Sequence, residues 1–152
     1  MERLKQYIGA AILAAVVGVV AVQSVLEQTD SDQRWQVQFG RGDEFGPGAD
    51  PVIAEIAAEA LDRSDAVVVV TGHTGSRGDP DANLALSLER AEAVRDALVA
   101  AAVPADRIVT VAAGADQPMA VETGETDRAY QLRLARADIL LTDEPPSAGG
   151  GD

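Results

Sequence analysis

The run VVVVTGHTGSRGDPDANLALSLERAEAVR, residues 67–95, constrains the fold more than any other stretch of the chain. Five β-branched residues in succession, Val67 to Thr71, predict a strand buried on both faces, because a one-sided strand would alternate apolar with polar. The strand breaks at Gly72, and His73 to Gly78 reads as a turn-forming loop. Asp79-Pro80 then predicts a helix start, with Asp79 as cap and Pro80 at the first helical position, where a missing N–H costs nothing. Leu84, Leu88, Ala91, Val94 and Leu98 recur at helical spacing, so a strand, a polar glycine-rich loop and an amphipathic helix follow one another directly.

The flanking sequence extends this alternation. Trp35 to Phe39 predicts a first strand, and Gly40 to Ala49, with four glycines and one proline, a loop. The Arg41-Gly42-Asp43 triplet inside that loop is read as incidental. Asp50-Pro51 repeats the cap-plus-proline start, and Ile53, Ile56, Ala57, Ala60 and Leu61 form the expected buried stripe of a first helix. The second helix is expected to end near Ala101, followed by a connection from Val103 to Arg107 and a strand from Ile108 to Ala112. Gly114 to Thr126 reads as irregular, Asp127 to Leu134 as a short helical turn, and Ala137 to Leu141 as the end of a last strand. Strands alternating with helices through short turns predict an α+β fold, a two-layer helix-on-sheet sandwich.

Ahead of this lies a segment of different character. Gln6 to Leu26 carries no charged residue, and as a helix its length matches a hydrocarbon core of roughly 30 Å. Arg3 and Lys5 precede it while Glu27, Asp30 and Asp32 follow, which puts the N-terminus in the cytoplasm and the rest outside it. A single-pass anchor at residues 6–26 is the preferred reading; a signal peptide cleaved after Ala21 is the alternative. With no acidic or basic group inside, the span is an anchor and not a proton-conducting element. The expected organisation is a stub and transmembrane helix at 1–26, a linker at 27–34, one domain at 35–142 and a disordered tail at 143–152.

Composition removes several function classes. There is no cysteine, hence no disulfide, thiolate metal site, cysteine nucleophile or lipidated cysteine. The formal net charge of −13 argues against nucleic acid as a partner, since phosphate binding needs clustered Lys and Arg. Aromatic residues make up 3%, too few for a carbohydrate stacking platform. His73 is the single histidine, so neither a metal site nor a serine–histidine pair is expected, and no cofactor or enzymatic activity is assigned.

Gly72-His73-Thr74-Gly75, Gly78, Asn83, Leu86-Ser87, Arg90-Ala91 and Val94 together resemble the OmpA-like domain, the periplasmic module that holds peptidoglycan in outer-membrane proteins, Pal lipoproteins and MotB-type stators. Val37-Gln38-Phe39, the run from Pro104 to Ile108 and Gly114 with Gln117-Pro118 fall in the same order, so the resemblance covers roughly Trp35 to Leu141. It implies a mixed sheet of four strands with two main helices on one face. It also implies that the loop acid and the arginine of the Arg-Ala pair grip diaminopimelate of the stem peptide. One acid and one guanidinium read the ammonium and carboxylate carried on a single carbon.

Carried onto this chain, the guanidinium is Arg90, and the ligand-facing set is His73, Thr74, Gly75, Asn83, Arg90 and Arg133. His73 and Asn83 are expected to organise the loop by hydrogen bonding. Two positions depart from the pattern. Gly75 stands where the family has aspartate, so Asp79, Asp81 or Glu89 is needed as a substitute acid. In the last motif, Arg-Ala-x-Asn-Arg-Arg, the chain reads either Arg128-Ala129-Tyr130-Gln131-Leu132-Arg133 or, slid to fit the last strand, Leu134-Ala135-Arg136; either keeps one arginine of the pair. The functional expectation is a non-catalytic protein of the bacterial inner membrane whose periplasmic domain tethers that membrane to diaminopimelate-type peptidoglycan. The alternative is a domain that has lost this binding and serves as an accessory subunit, contacting other membrane proteins.

Overall fold

The computed structural model describes Asp32 to Glu144. The expected span at 6–26 and most of the expected tail lie outside these residues. No helix among the described residues is long and apolar enough to cross a membrane.

Four strands and three helices alternate along the chain: β1 (Gln33–Gln38), α1 (Ala49–Asp62), β2 (Val67–Gly72), α2 (Pro80–Ala100), β3 (Ile108–Ala112), α3 (Asp127–Leu134) and β4 (Arg136–Thr142), with one 3₁₀ turn at Ala105–Arg107. The strands form one mixed sheet in the order β1-β4-β2-β3. β4 is antiparallel to both neighbours, pairing Trp35 with Ile139 and Val70 with Ile139, while β2 and β3 run parallel through the α2 crossover. This is the α+β, mixed four-stranded sandwich expected from the sequence, with β1 starting two residues before Trp35.

The core lies between α1, α2 and one face of the sheet, where Ile56, Val68, Val70, Val94, Leu98, Ile139 and Leu141 are buried. The valine strand is not buried on both faces. Val68 and Val70 are covered, while Val67, Val69 and Thr71 are half-buried on the side without helices. A run of valines satisfies either arrangement, because Val packs on a half-covered pleated surface as well as in a core.

Both helix stripes also need correction. In α2 the buried residues are Ser87, Arg90, Ala91, Val94 and Leu98, while Leu84 and Leu88 are exposed. The first half of α2 lies over loop backbone and the end of β2, and polar side chains are buried there because carbonyl and amide groups need partners. In α1, Leu61 is exposed and Ala49, Ile53, Ile56, Ala57 and Ala60 form the buried face.

Asp79 caps α2 as expected, its Oδ1 accepting from the Ala82 amide at 2.9 Å, with Pro80 opening the helix. Asp50 does not cap α1. That helix begins one residue earlier, behind Gly48 at φ 84°, and Asp50 sits in the first turn, where its charge still complements the helix dipole. At the other end of α1, Arg107 gathers carbonyls of the helix end and of the turn after it: Nη2 donates to Ala60 at 2.8 Å and to Arg63 at 2.6 Å, and Nε to Ala66 at 2.9 Å.

Gly72 explains why β2 and α2 lie so close. A Cβ there would stand 1.8 Å from the Ser87 carbonyl oxygen, so only glycine lets the strand end pass under the helix backbone. Ser87 locks the same corner from above: its hydroxyl donates to the Leu84 carbonyl at 2.7 Å and accepts from the Gly114 amide at 2.9 Å.

Candidate functional site

The corner where β2 turns into α2 meets the start of α3 and the loop after β1. A pocket of about 510 Å³ opens there, within the ~300–1,000 Å³ typical of small-ligand sites. Thr74, Arg77, Asn83, Arg90, Asp127, Arg128 and Gln131 supply its polar wall, and Leu86, Leu132 and Ala135 its apolar one.

Arg90 is the floor. It is only 4% exposed, with Nη1 donating to the His73 carbonyl and Nε to the Gly42 carbonyl, both at 2.8 Å, and the guanidinium 5.4 Å from the centre of the Phe39 ring. The Arg-Gly-Asp triplet therefore has a structural use: its central carbonyl is half of the seat of Arg90. These two bonds use two of the guanidinium's five N–H donors and leave both hydrogens of Nη2 to a ligand, with one on Nη1. Burial pushes the guanidinium below its ordinary range and the Asp43 carboxylate pulls it back up, but an arginine so placed stays charged. A lone guanidinium on an ordinary helix would pair with neighbouring carboxylates; this one is held by carbonyls.

Thr74 lies next to it. The residue is 4% exposed, and its Oγ1 has no hydrogen-bond partner among the described residues. Buried hydroxyls are normally paired, so this one is a polar atom that the described residues leave unsatisfied close to the pocket. The Thr74 amide is already used, donating to the Gly114 carbonyl at 2.8 Å.

Gly75 has its space occupied. A Cβ there would stand 2.2 Å from Gln131 Oε1. The Gln131 amide reaches across from α3, accepting from the Ser76 amide at 3.1 Å and donating to Ser76 Oγ at 3.2 Å. The two departures from the family pattern, glycine in the loop and glutamine in the last motif, thus meet at one point. Asn83 organises the loop as expected, its Nδ2 donating to the Arg77 carbonyl at 3.1 Å.

His73 and Arg133 lie outside the pocket wall. His73 is buried and joins its surroundings through the backbone, donating to the Arg136 carbonyl at 2.8 Å and accepting from Arg90. Its Nε2 lies 3.0 Å from Asp138 Oδ2, out of line for a directed hydrogen bond, and Nδ1 has no partner among the described residues. Burial pushes the Asp138 carboxyl up, but contact with His73, a hydrogen bond from Gln36 and the charge of Arg136 outweigh it and bring it below its usual range. Arg133 instead holds the long loop before α3, with Nη2 2.8 Å from Glu125 and 2.7 Å from the Ala120 carbonyl. Arg136 opens β4, buried, its Nε 3.1 Å from Asp138.

None of the expected substitute acids lines the pocket. Asp79 is the cap of α2, Asp81 lies in its first turn facing the loop after β3, and Glu89 is exposed on the helix. The acid that does line the pocket is Asp127, at the start of α3, ion-paired with Arg77 across the rim. Spacing along the sequence gave no hint of it, since 37 positions separate it from Arg90 and only the fold brings them together. Among the described residues no cluster of His, Asp or Glu could hold a metal ion.

A profile of the OmpA family matches residues 44–131. Outer membrane protein A of Yersinia pseudotuberculosis is 37% identical over 94 residues, 62% of this chain and 25% of that protein. The peptidoglycan-binding protein ArfA of Mycobacterium bovis is 32% identical over 99 residues, 64% of this chain and 30% of that protein. The chain therefore spans less than a third of the length of these curated relatives. Among solved structures, the peptidoglycan-associated lipoprotein from Burkholderia pseudomallei matches with a TM-score of 0.63 at 26% identity, covering 70% of this chain and 89% of that one.

Proposed function

The chain belongs to the OmpA family, and from that premise we propose that the pocket over Arg90 binds the diaminopimelate end of a peptidoglycan stem peptide, making the protein a non-catalytic tether in the cell envelope. The observation that carries the proposal is a buried arginine, seated on the His73 and Gly42 carbonyls, in the wall of a pocket of small-ligand size. A carboxylate on Arg90 Nη2 gains a charge-assisted bond in a partly desolvated site, where such bonds are roughly twice as strong as neutral ones. The apolar wall at Leu86 and Leu132 suits the methylene chain between the two ends of diaminopimelate. Two relatives carry peptidoglycan in their names, which agrees with this assignment. In the same reading, residues 6–26 anchor the protein in the inner membrane and the domain stands in the periplasm.

A second reading has one observation in its favour. The sheet face without helices carries Leu140, Val69 and Val109 in one cross-strand row, with Val111 beside it, and could seat another subunit. Co-sedimentation with purified sacculi separates the two. The tether reading expects the protein to pellet with diaminopimelate-type sacculi and to stay in solution with lysine-type sacculi, which lack the side-chain carboxylate. No pelleting with either moves the assignment to the accessory-subunit reading, and equal pelleting with both keeps peptidoglycan as the ligand while removing diaminopimelate as the group recognised.

A further inference from the structure

We propose that Asp127 is the acid that receives the ammonium of the ligand, replacing from α3 the side chain that Gly75 lacks. The inference rests on the peptidoglycan reading above. A zwitterionic carbon bound through its carboxylate to Arg90 must place its ammonium against acceptors in the same pocket, because both groups hang from one atom. Asp127 is the carboxylate in that wall. Gln131 Oε1, in the same wall, takes one bond from the Ser76 amide and has a second lone pair to offer.

Asp127 is already paired with Arg77, and the exposure of that pair decides whether a ligand can compete. The side chains are 57% and 72% exposed. Exposed ion pairs contribute only about 0–1 kcal/mol, so the Arg77 guanidinium can swing into water and yield its place to an incoming ammonium at little cost. Arg77 then acts as a resident competitor for the acid. This gives two substitutions opposite signs. Removing Asp127 deletes the acceptor and weakens binding; removing Arg77 deletes the competitor and strengthens it. If the pair merely fastened the loop to α3, breaking it from either side would have the same consequence.

The test uses the full chain in detergent and two synthetic tripeptides, L-Ala-γ-D-Glu-meso-diaminopimelate and the analogue with hydrogen in place of the free amine. Calorimetric titration of the wild type, Asp127→Asn and Arg77→Gln follows, with thermal unfolding to confirm that each variant is folded. The wild type is expected to prefer the amine-bearing peptide about tenfold, the size of one good polar contact. Asp127→Asn should reduce that preference to near unity. Arg77→Gln should bind the amine-bearing peptide several-fold more tightly and leave the analogue unchanged. Wild-type discrimination retained by Asp127→Asn overturns the assignment, as does weakening by both variants alike. A wild type that binds both peptides equally overturns it while leaving the peptidoglycan reading intact. A wild type that binds neither peptide nor sacculi removes both.

Discussion

Arg90 is the residue that any binding experiment would mutate first, and its seat means that Arg90→Ala tests the fold as much as the ligand. Truncation removes two hydrogen bonds from a charged donor to backbone carbonyls, one to His73 and one to Gly42. Bonds to charged groups contribute about 1.5–3 kcal/mol each, and the guanidinium over Phe39 adds about 0.5–1 kcal/mol. The two carbonyls do not suffer equally. Gly42 is half-buried and water can replace the lost donor, whereas the bond to His73 is buried and its carbonyl would be stranded. The net expectation is a loss of about 3–5 kcal/mol, one bond to a charged group at about 1.5–3 kcal/mol plus about 1–3 kcal/mol for the stranded His73 carbonyl. At roughly 4 °C or more per kcal/mol for a domain of this size, the midpoint should fall by about 12 °C or more. Urea and thermal unfolding followed by circular dichroism measure this directly. Arg77→Gln, which breaks only an exposed pair, should change stability by less than about 1 kcal/mol and serves as the reference. A loss below about 1 kcal/mol for Arg90→Ala would refute the argument that backbone carbonyls hold this side chain in place.

Two further predictions concern the same corner and a third the loop before α3. Gly72→Ala places a Cβ 1.8 Å from the rigid Ser87 backbone and should cost about 3 kcal/mol or more, measured by the same unfolding curves; an unchanged midpoint would show that α2 can shift. Gly75→Ala meets only the flexible end of Gln131, so it should cost about 1 kcal/mol, and adding Gln131→Ala should cost little more, a non-additivity that a double-mutant cycle reads. The hydrogen bond from Arg133 pulls the Glu125 carboxyl from 4.5 down to about 2. A carboxyl lowered on folding stabilises the folded loop above its unfolded pKa, and that contribution is lost as pH falls from about 4.5 through 2. Hydrogen exchange should therefore show amides of residues 119–126 losing protection over that interval ahead of the sheet amides.

What the sequence disclosed, and what it did not, divides along physical lines. Element order was legible because turn chemistry is local: Asp79-Pro80 starts α2 and Gly72 ends β2 as read. Burial was less legible, because it depends on what covers a face. Leu84 and Leu88 fit a helical stripe but face solvent, while Ser87 and Arg90, which a hydropathy pattern passes over, are buried against loop backbone. The valine strand misled in the same way, since nothing in Val67 to Val70 tells a two-layer from a three-layer sandwich. Arg90, Thr74 and Asn83, singled out from one short motif, line one pocket because that motif is contiguous. Asp127 and the fit of Gln131 over Gly75 were not, because α3 reaches the loop only through the sheet order, with β4 lying beside β2.

The central claim is that the pocket over Arg90 receives the diaminopimelate end of a stem peptide. Amide chemical shifts recorded while the protein is titrated with the diaminopimelate tripeptide test it most directly. Saturable shifts centred on Thr74, Gly75, Ser76 and Arg90, with Gln131 and Leu132 following and the row of Val69, Val109 and Leu140 unmoved, are the predicted result. No shifts at the loop, or shifts centred on the open face of the sheet, would contradict it.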